Sequence, residues 1–505
     1  MKRFLLLAVA AVLVATGLQA QAQRIGCVRV DEGTRASEYH VLSDPFEFAP
    51  NTTYRQPVVL ISFSDTDFSM DDPSAYYDRI FNEPGFNEGL GRGCVADYLR
   101  DQSGGRVNLQ FDIYGPVKIN EKAGGRKSSD YGVSLERLAM SQLCETEETD
   151  FAIYDWDGDN SVNQVIFVLA GYTGNQKSGY IWPNTGAFIC KMPGGIHSRN
   201  SSTSCELWRD GSLCGIGTII HEFCHCLGLP DIYPLPPSRA FSAVDEWDLM
   251  DGGNYSNYGW CPPNLSAMEK MYLGWASPVE LTEATAIKAM KPVSAGGDTY
   301  IVRSSGNSNE FYLLENRRQE GWDYSCPGNG LLIFHVDYDR DCWGNNEVNI
   351  SDTHYRYDLF HADGKDYMAW DTNNDGKDLS KYTMDNWLRS RYLSTSPYPY
   401  SKPETLVTNA SLTDESTPAA TLFTANAEGL LYMGKAITNI SMADDGTISF
   451  DFMNPHAAGI AELAPDKAGV VGWYDLNGRR LSAEPQQAGI YISVSSDGTK
   501  RKCAK

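Results

Sequence analysis

His221 and His225 stand four residues apart with Glu222 beside the first. The segment His221-Glu222-Phe223-Cys224-His225 carries the most specific chemistry in this 505-residue chain. On a helix, residues i and i+4 share a face, so two imidazoles at that spacing can reach one metal ion. Zinc hydrolysis needs neutral imidazoles for the ion, an open position for water and a carboxylate to take the water's proton. Glu222 is placed for that last task. The third ligand has two contenders: Asp231 in the Pro230-Asp231 turn, and Glu246 further on, as in zinc sites that draw a glutamate from a second helix. The tight turn favours Asp231. The chain has only eight histidines, so a chance pairing of this kind is rare. The plainer alternative is two helix histidines with packing roles alone.

A helix must hold this pair. Ile216, Ile219, Ile220, Phe223, Cys224 and Leu227 recur at helical spacing and give it an apolar face, with the histidines largely outside that stripe. Gly228 then ends the helix where a left-handed turn is easy. Upstream, Pro57 to Phe63 reads as a buried strand, Gly93 to Gln102 as a helix and Val107 to Ile113 as a strand. Val133 to Cys144 reads as a further helix and Val162 to Leu169 as a strand. This alternation predicts an α/β layer with a mostly parallel sheet. After Pro278, short strand-like runs separated by Gly, Asn and Asp predict an antiparallel, sandwich-like β region.

The extended motif His221 to Asp231, together with Trp247-Asp248-Leu249-Met250-Asp251-Gly252-Gly253 and Ala267 to Trp275, resembles the M6 metallopeptidases of the immune-inhibitor-A type. Tyr98 to Val107, Asp155 to Gly171 and Leu331 to Asp337 are similar as well, so the resemblance spans about Val58 to Phe360. It implies a metzincin-like α/β zincin catalytic domain, Asp231 as third zinc ligand, and Met250 as the methionine of the turn beneath the site, while a chain of 505 residues is by its length expected to be multidomain. Cys224 and Cys226, flanking His225, depart from the pattern, and the segment before Val58 is short for a folding prodomain. Tyr255 and Tyr258 are candidates for a transition-state donor, against the alternative of ordinary packing tyrosines.

Asp155, Asp157 and Asp159 alternate before a strand, which suits either a calcium loop or a hydrated turn. Asp371 to Gly376 matches the first half of an EF-hand loop, but Tyr382 stands where the bidentate glutamate belongs. Lys2 and Arg3, the apolar run Phe4 to Leu18 and Ala20-Gln21-Ala22 predict a cleaved signal peptide and export, with no membrane span. The formal net charge of −23 becomes more negative once those two cations are removed, which argues against nucleic acid as a partner. Twelve cysteines in an exported chain are compatible with disulfides, with Cys205, Cys214, Cys224, Cys226 and Cys261 grouped around the motif. The C-terminal run Tyr474 to Arg480 and Gly489 to Val494 is similar to β modules of exported Bacteroidetes proteins, some of which address a secretion machinery.

The organisation expected is a signal peptide over 1–22, a short lead-in or pro-segment over 23–54, and a catalytic domain over 55–280. A β-rich domain over 281–455 and a small β module over 456–505 follow. The expected function is a secreted zinc endopeptidase acting on extracellular proteins or peptides, with Glu222 as general base. The alternative is a secreted β-rich adhesin or glycan-binding protein with a vestigial zincin domain.

Overall fold

A computed structural model describes residues 45–127, 130–146, 150–235, 242–364, 393–401 and 408–453, with parts of 470–504. The expected signal peptide and the Asp371 to Gly376 loop lie outside the described residues. The chain divides into two compact units, Met1–Met453 and Asn454–Lys505. It is a mixed α/β protein with several sheets and few helices.

The first sheet is built from β1 (Tyr54–Phe63), β2 (Leu109–Ile119), β3 (Ser161–Tyr172), β4 (Asn184–Ala187) and β5 (His197–Leu207), in the order β2-β1-β3-β5-β4. All neighbours are parallel except β4, which runs antiparallel to β5 at the sheet's edge. Val58, Val59, Leu60 and Ile61 are fully buried because β1 lies between two strands and is covered on both faces, which explains its unbroken apolar run. Helices α1 (Pro73–Asn82), α2 (Val95–Gln102) and α3 (Val133–Thr146) intervene between β1 and β3.

Two elements have no signature in the apolar pattern. Helix α1 begins with proline at its first position and is capped by Asp72, whose carboxylate accepts from Ala75 N at 3.0 Å. Strand β5 reads His-Ser-Arg-Asn-Ser-Ser-Thr-Ser-Cys-Glu-Leu, yet Ser201 to Glu206 are buried. Two of its hydroxyls are bonded by a carboxylate inside the protein, while those of Ser202 and Ser204 are buried without a hydrogen bond. Ser201 and Thr203 donate to Glu136 of α3 at 2.9 and 2.6 Å, and burial pushes the Glu136 carboxyl up to about 7. Glu206, also buried, accepts from Ser69 N and Gly171 N at 2.6 and 2.9 Å.

The motif helix α4 (Gly217–Cys226) packs on β5 and β4. Short helix α5 (Ala267–Tyr272) leads into the second half of this unit, whose first strands are β6 (Val279–Glu280) and β7 (Thr285–Met290). There β8 (Tyr300–Arg303), β9 (Glu310–Arg317), β10 (Gly330–Asp337) and β11 (Tyr357–Leu359) form a sheet in the order β11-β10-β9-β8-β6, antiparallel apart from the β6–β8 pair. Helix α6 (Arg340–Gly344) falls between β10 and β11. Later come β12 (Tyr400–Ser401) and β13 (Thr408–Asn409), then β14 (Ile437–Met442) and β15 (Ile448–Phe452), of which β15 lies between β14 and β7 in an antiparallel sheet.

One apolar core runs across residue 280, taking in Ile220 and Phe223 of α4 together with Leu332 and Phe334 of β10. A second core, with Val302, Ile333, Ile437 and Phe450, is drawn wholly from residues after 280. In the C-terminal unit, β16 (Val470–Tyr474), β17 (Arg480–Leu481), β18 (Ile490–Ser495) and β19 (Lys500–Ala504) form an antiparallel sheet in the order β17-β16-β18-β19. No helix among the described residues is long and apolar enough to cross a membrane.

Candidate metal centre

Ile219, Ile220, Phe223 and Cys224 anchor α4 in the core at 4% exposure or less. Each large apolar side chain among them contributes about 1.5–3 kcal/mol of burial. At the start of the helix, a Cβ on Gly217 would lie 2.1 Å from Asn254 O, so glycine lets the 253–259 segment pack directly on the backbone. At its end, Gly228 adopts φ +103. Gly228 N donates to His225 O at 2.9 Å and Leu229 N to Cys224 O at 3.1 Å, a Schellman cap that turns the chain back towards the histidines.

His221 and His225 lie with their ring centroids 4.7 Å apart and their planes at 84°. Each is oriented by a backbone carbonyl. His221 Nδ1 bonds Leu249 O at 2.9 Å, and His225 Nδ1 bonds Leu229 O at 2.7 Å. A carbonyl only accepts, so each Nδ1 carries the proton and each Nε2 presents a lone pair. Both Nε2 atoms face Asp231 Oδ1, at 3.4 Å from His221 and 3.2 Å from His225. Asp231 Oδ1 is buried and accepts no hydrogen bond. Three acceptors thus converge on one enclosed point, an arrangement that calls for a cation between them. Two imidazoles and one carboxylate oxygen form the N/O donor set that suits zinc. Burial works against the Asp231 carboxylate, and it is positive charge at the imidazoles, His225 foremost, that pulls it well below the usual carboxylate range, so with both rings neutral a bound cation would have to supply that charge.

Glu222 is 3% exposed, and burial raises its carboxyl above the ordinary value while the neighbouring His221 lowers it. The Thr185 hydroxyl on edge strand β4 lies 2.9 Å from Glu222 Oε2 and 2.7 Å from Glu222 O, so it fixes the carboxylate against its own helix.

The turn Asp248 to Asp251 holds the other side. Asp248 Oδ1 accepts from Met250 N at 2.8 Å, Leu249 O takes His221, and Met250 O accepts from Ile232 N at 2.9 Å. The Met250 side chain is buried in the core. Asp251 gathers the backbone N–H groups of Ala243, Val244 and Asp245 at 2.8–3.0 Å. The later strands brace this turn: Tyr357 donates to Asp248 Oδ2 at 3.1 Å, and Arg317, fully buried between Glu315 and Asp323, reaches Trp247 O.

The structure therefore brings His221, His225 and Asp231 together, with all donor atoms within 4.8 Å of one another. Glu246, in the single turn Asp245–Trp247, is outside that group. Tyr255 accepts from Asn175 Nδ2 at 3.0 Å and packs on Trp208, while Tyr258 lines an open cavity of about 350 Å³ with Tyr76, Leu90 and Trp260. Cys205, Cys214, Cys224, Cys226 and Cys261 are free thiols, as are Cys94, Cys144, Cys190, Cys326 and Cys342, and Cys224 is a core residue. Sequence reasoning missed Thr185 and Asn346, the latter bonded to Asp231. Neither stands in a pattern that marks it.

No protein-family model matches this chain. No curated protein matches it either.

Asp155, Asp157 and Asp159 also converge. Their oxygens are engaged by the loop itself: Asp155 accepts from Gly158 N and Asn160 N, each at 2.8 Å, and Asp159 from Ser161 N at 2.9 Å. Arg199 of β5 pairs with both Asp157 and Asp159.

Proposed function

We propose that this protein is a zinc-dependent endopeptidase of the zincin type, resembling the M6 metallopeptidases, that is exported and cleaves extracellular proteins. The observation that carries this reading is the buried convergence of His221, His225 and Asp231 with Glu222 on the adjacent position of the same helix. His221, His225 and Asp231 would hold the ion, which when bound supplies a Lewis acid that polarises a carbonyl and acidifies water. Three protein ligands leave a fourth position open, whereas a structural zinc site is closed by four. Glu222 takes the proton of the attacking water and returns it to the departing amine. Burial favours this exchange by bringing the carboxyl nearer to the range where it can both accept and release a proton. Strand β4 is the edge strand of its sheet, the kind of place where an extended peptide adds, and Thr185 on that strand ties the edge to Glu222.

The test measures zinc content and casein hydrolysis on the purified protein. About one zinc per chain is expected, with hydrolysis abolished by a chelator and restored by zinc. Zinc without hydrolysis, or no zinc at all, would overturn the peptidase reading and favour the adhesin or glycan-binding alternative.

We propose in addition that the Asp155 loop takes calcium as a stabilising ion, on the convergence of its carboxylates. Binding must compete with Arg199. The melting temperature of the zinc-loaded protein should rise by several degrees at saturating calcium and much less with magnesium. Asp157→Asn combined with Asp159→Asn should flatten that response, and a wild-type curve insensitive to calcium would return the loop to a hydrated turn.

A further inference from the structure

Asn346 follows α6, well over a hundred residues beyond the motif helix, yet it makes two bonds to one residue of the centre. Its Oδ1 accepts from Asp231 N at 2.6 Å and its Nδ2 donates to Asp231 Oδ2 at 2.8 Å. A planar amide that grips both the backbone and the side chain of Asp231 fixes the rotation of the carboxylate as well as its place. One oxygen is taken, and the other, Oδ1, is left facing the two imidazoles with no hydrogen bond of its own.

The platform behind Asn346 is rigid. Asp339 caps α6 by accepting from Asp341 N and Cys342 N at 3.0 Å, and Trp343 is fully buried between Tyr272 and Tyr338. Asn349, three residues on, donates to Ile232 O and Tyr357 O at 2.8 Å, and its own carbonyl accepts from Leu235 N at 3.0 Å. The whole stretch from Asp231 to Leu235 is thus bracketed by residues 346–349. Asn346 itself sits at φ +58, a conformation that asparagine tolerates better than most side chains.

We infer that Asn346 is a positioning residue that holds Asp231 as a one-oxygen ligand. A carboxylate free to rotate can offer both oxygens to a metal and fill the position that water needs; the amide prevents this by occupying Oδ2. Partners of this kind outside the ligand set commonly tune affinity and geometry. The inference rests on the zinc reading above.

Two variants separate positioning from folding. Asn346→Gly keeps the left-handed backbone and removes the amide. Asn346→Asp is nearly isosteric, tolerates the same backbone, and keeps the acceptor for Asp231 N while removing the donor to Oδ2. Zinc dissociation constants from chelator competition should rise about 10–100-fold in both, with circular dichroism unchanged. The cobalt-substituted wild type should show the strong visible bands of a four-coordinate ion, and both variants should lose intensity as coordination expands.

Affinity within threefold of wild type in both variants, with the same cobalt spectrum, would overturn the inference. Affinity retained in Asn346→Asp alone would overturn the role of the donor. Failure of the wild type to bind zinc would instead remove the reading on which the inference stands, and it is seen on the unsubstituted protein before any ratio is taken.

Discussion

Glu222→Gln is expected to fold, to bind zinc and to lose hydrolysis by on the order of 10²–10⁴-fold in kcat. The amide is the same size and its oxygen can still accept from Thr185, so the packing of α4 against β4 need not change. It cannot take a proton from water. Because only the proton-transfer step is removed, KM for a peptide should move little compared with kcat. The check is steady-state hydrolysis of one fluorogenic peptide, with zinc content measured on the same preparation. Activity within about tenfold of wild type would remove Glu222 from the role of base. Lost zinc would instead reveal a disturbed helix.

Asp231→Ala is expected to lose zinc and activity together, with affinity falling by more than about a hundredfold, since even partners outside the ligand set cost about 10–100-fold. The loss should exceed that of either Asn346 variant, because the oxygen itself is gone. The apo protein should not suffer in proportion: the substitution relieves a site in which a buried carboxylate and two lone pairs face one another without a metal. Glu246→Ala should leave zinc content unchanged, since Glu246 lies outside the converging group. If Glu246→Ala strips the zinc and Asp231→Ala does not, the third ligand is the glutamate and the centre belongs to the other zincin type.

What could be read ahead of the structure follows from how local each feature is. The helix through His221, its apolar face and its end at Gly228 depend on residues a few positions apart, and the cap forms between Cys224, His225, Gly228 and Leu229. Strand β1 was legible because both its faces are buried, so its apolar run is unbroken. Strand β5 was not, because a buried strand of serines and threonines resembles a loop until Glu136 is placed against it. Nor does anything local mark Arg317 as buried: Glu315 and Asp323 neutralise it in the interior.

By itself, then, the sequence of this protein determined the donor chemistry: two imidazoles on one helix face, a carboxylate beside the first, and a glycine that turns the chain so that Asp231 can return. Side-chain identity and helical periodicity are enough for that. Only the tertiary structure decided how those donors are held. Thr185 comes from the sheet edge, Leu249 from a turn, Asn346 from the connection between two strands of a second sheet, and each bond joins positions distant in the chain. Such partners leave no periodicity, because what selects them is a distance of about 3 Å across the folded core rather than any spacing along the backbone.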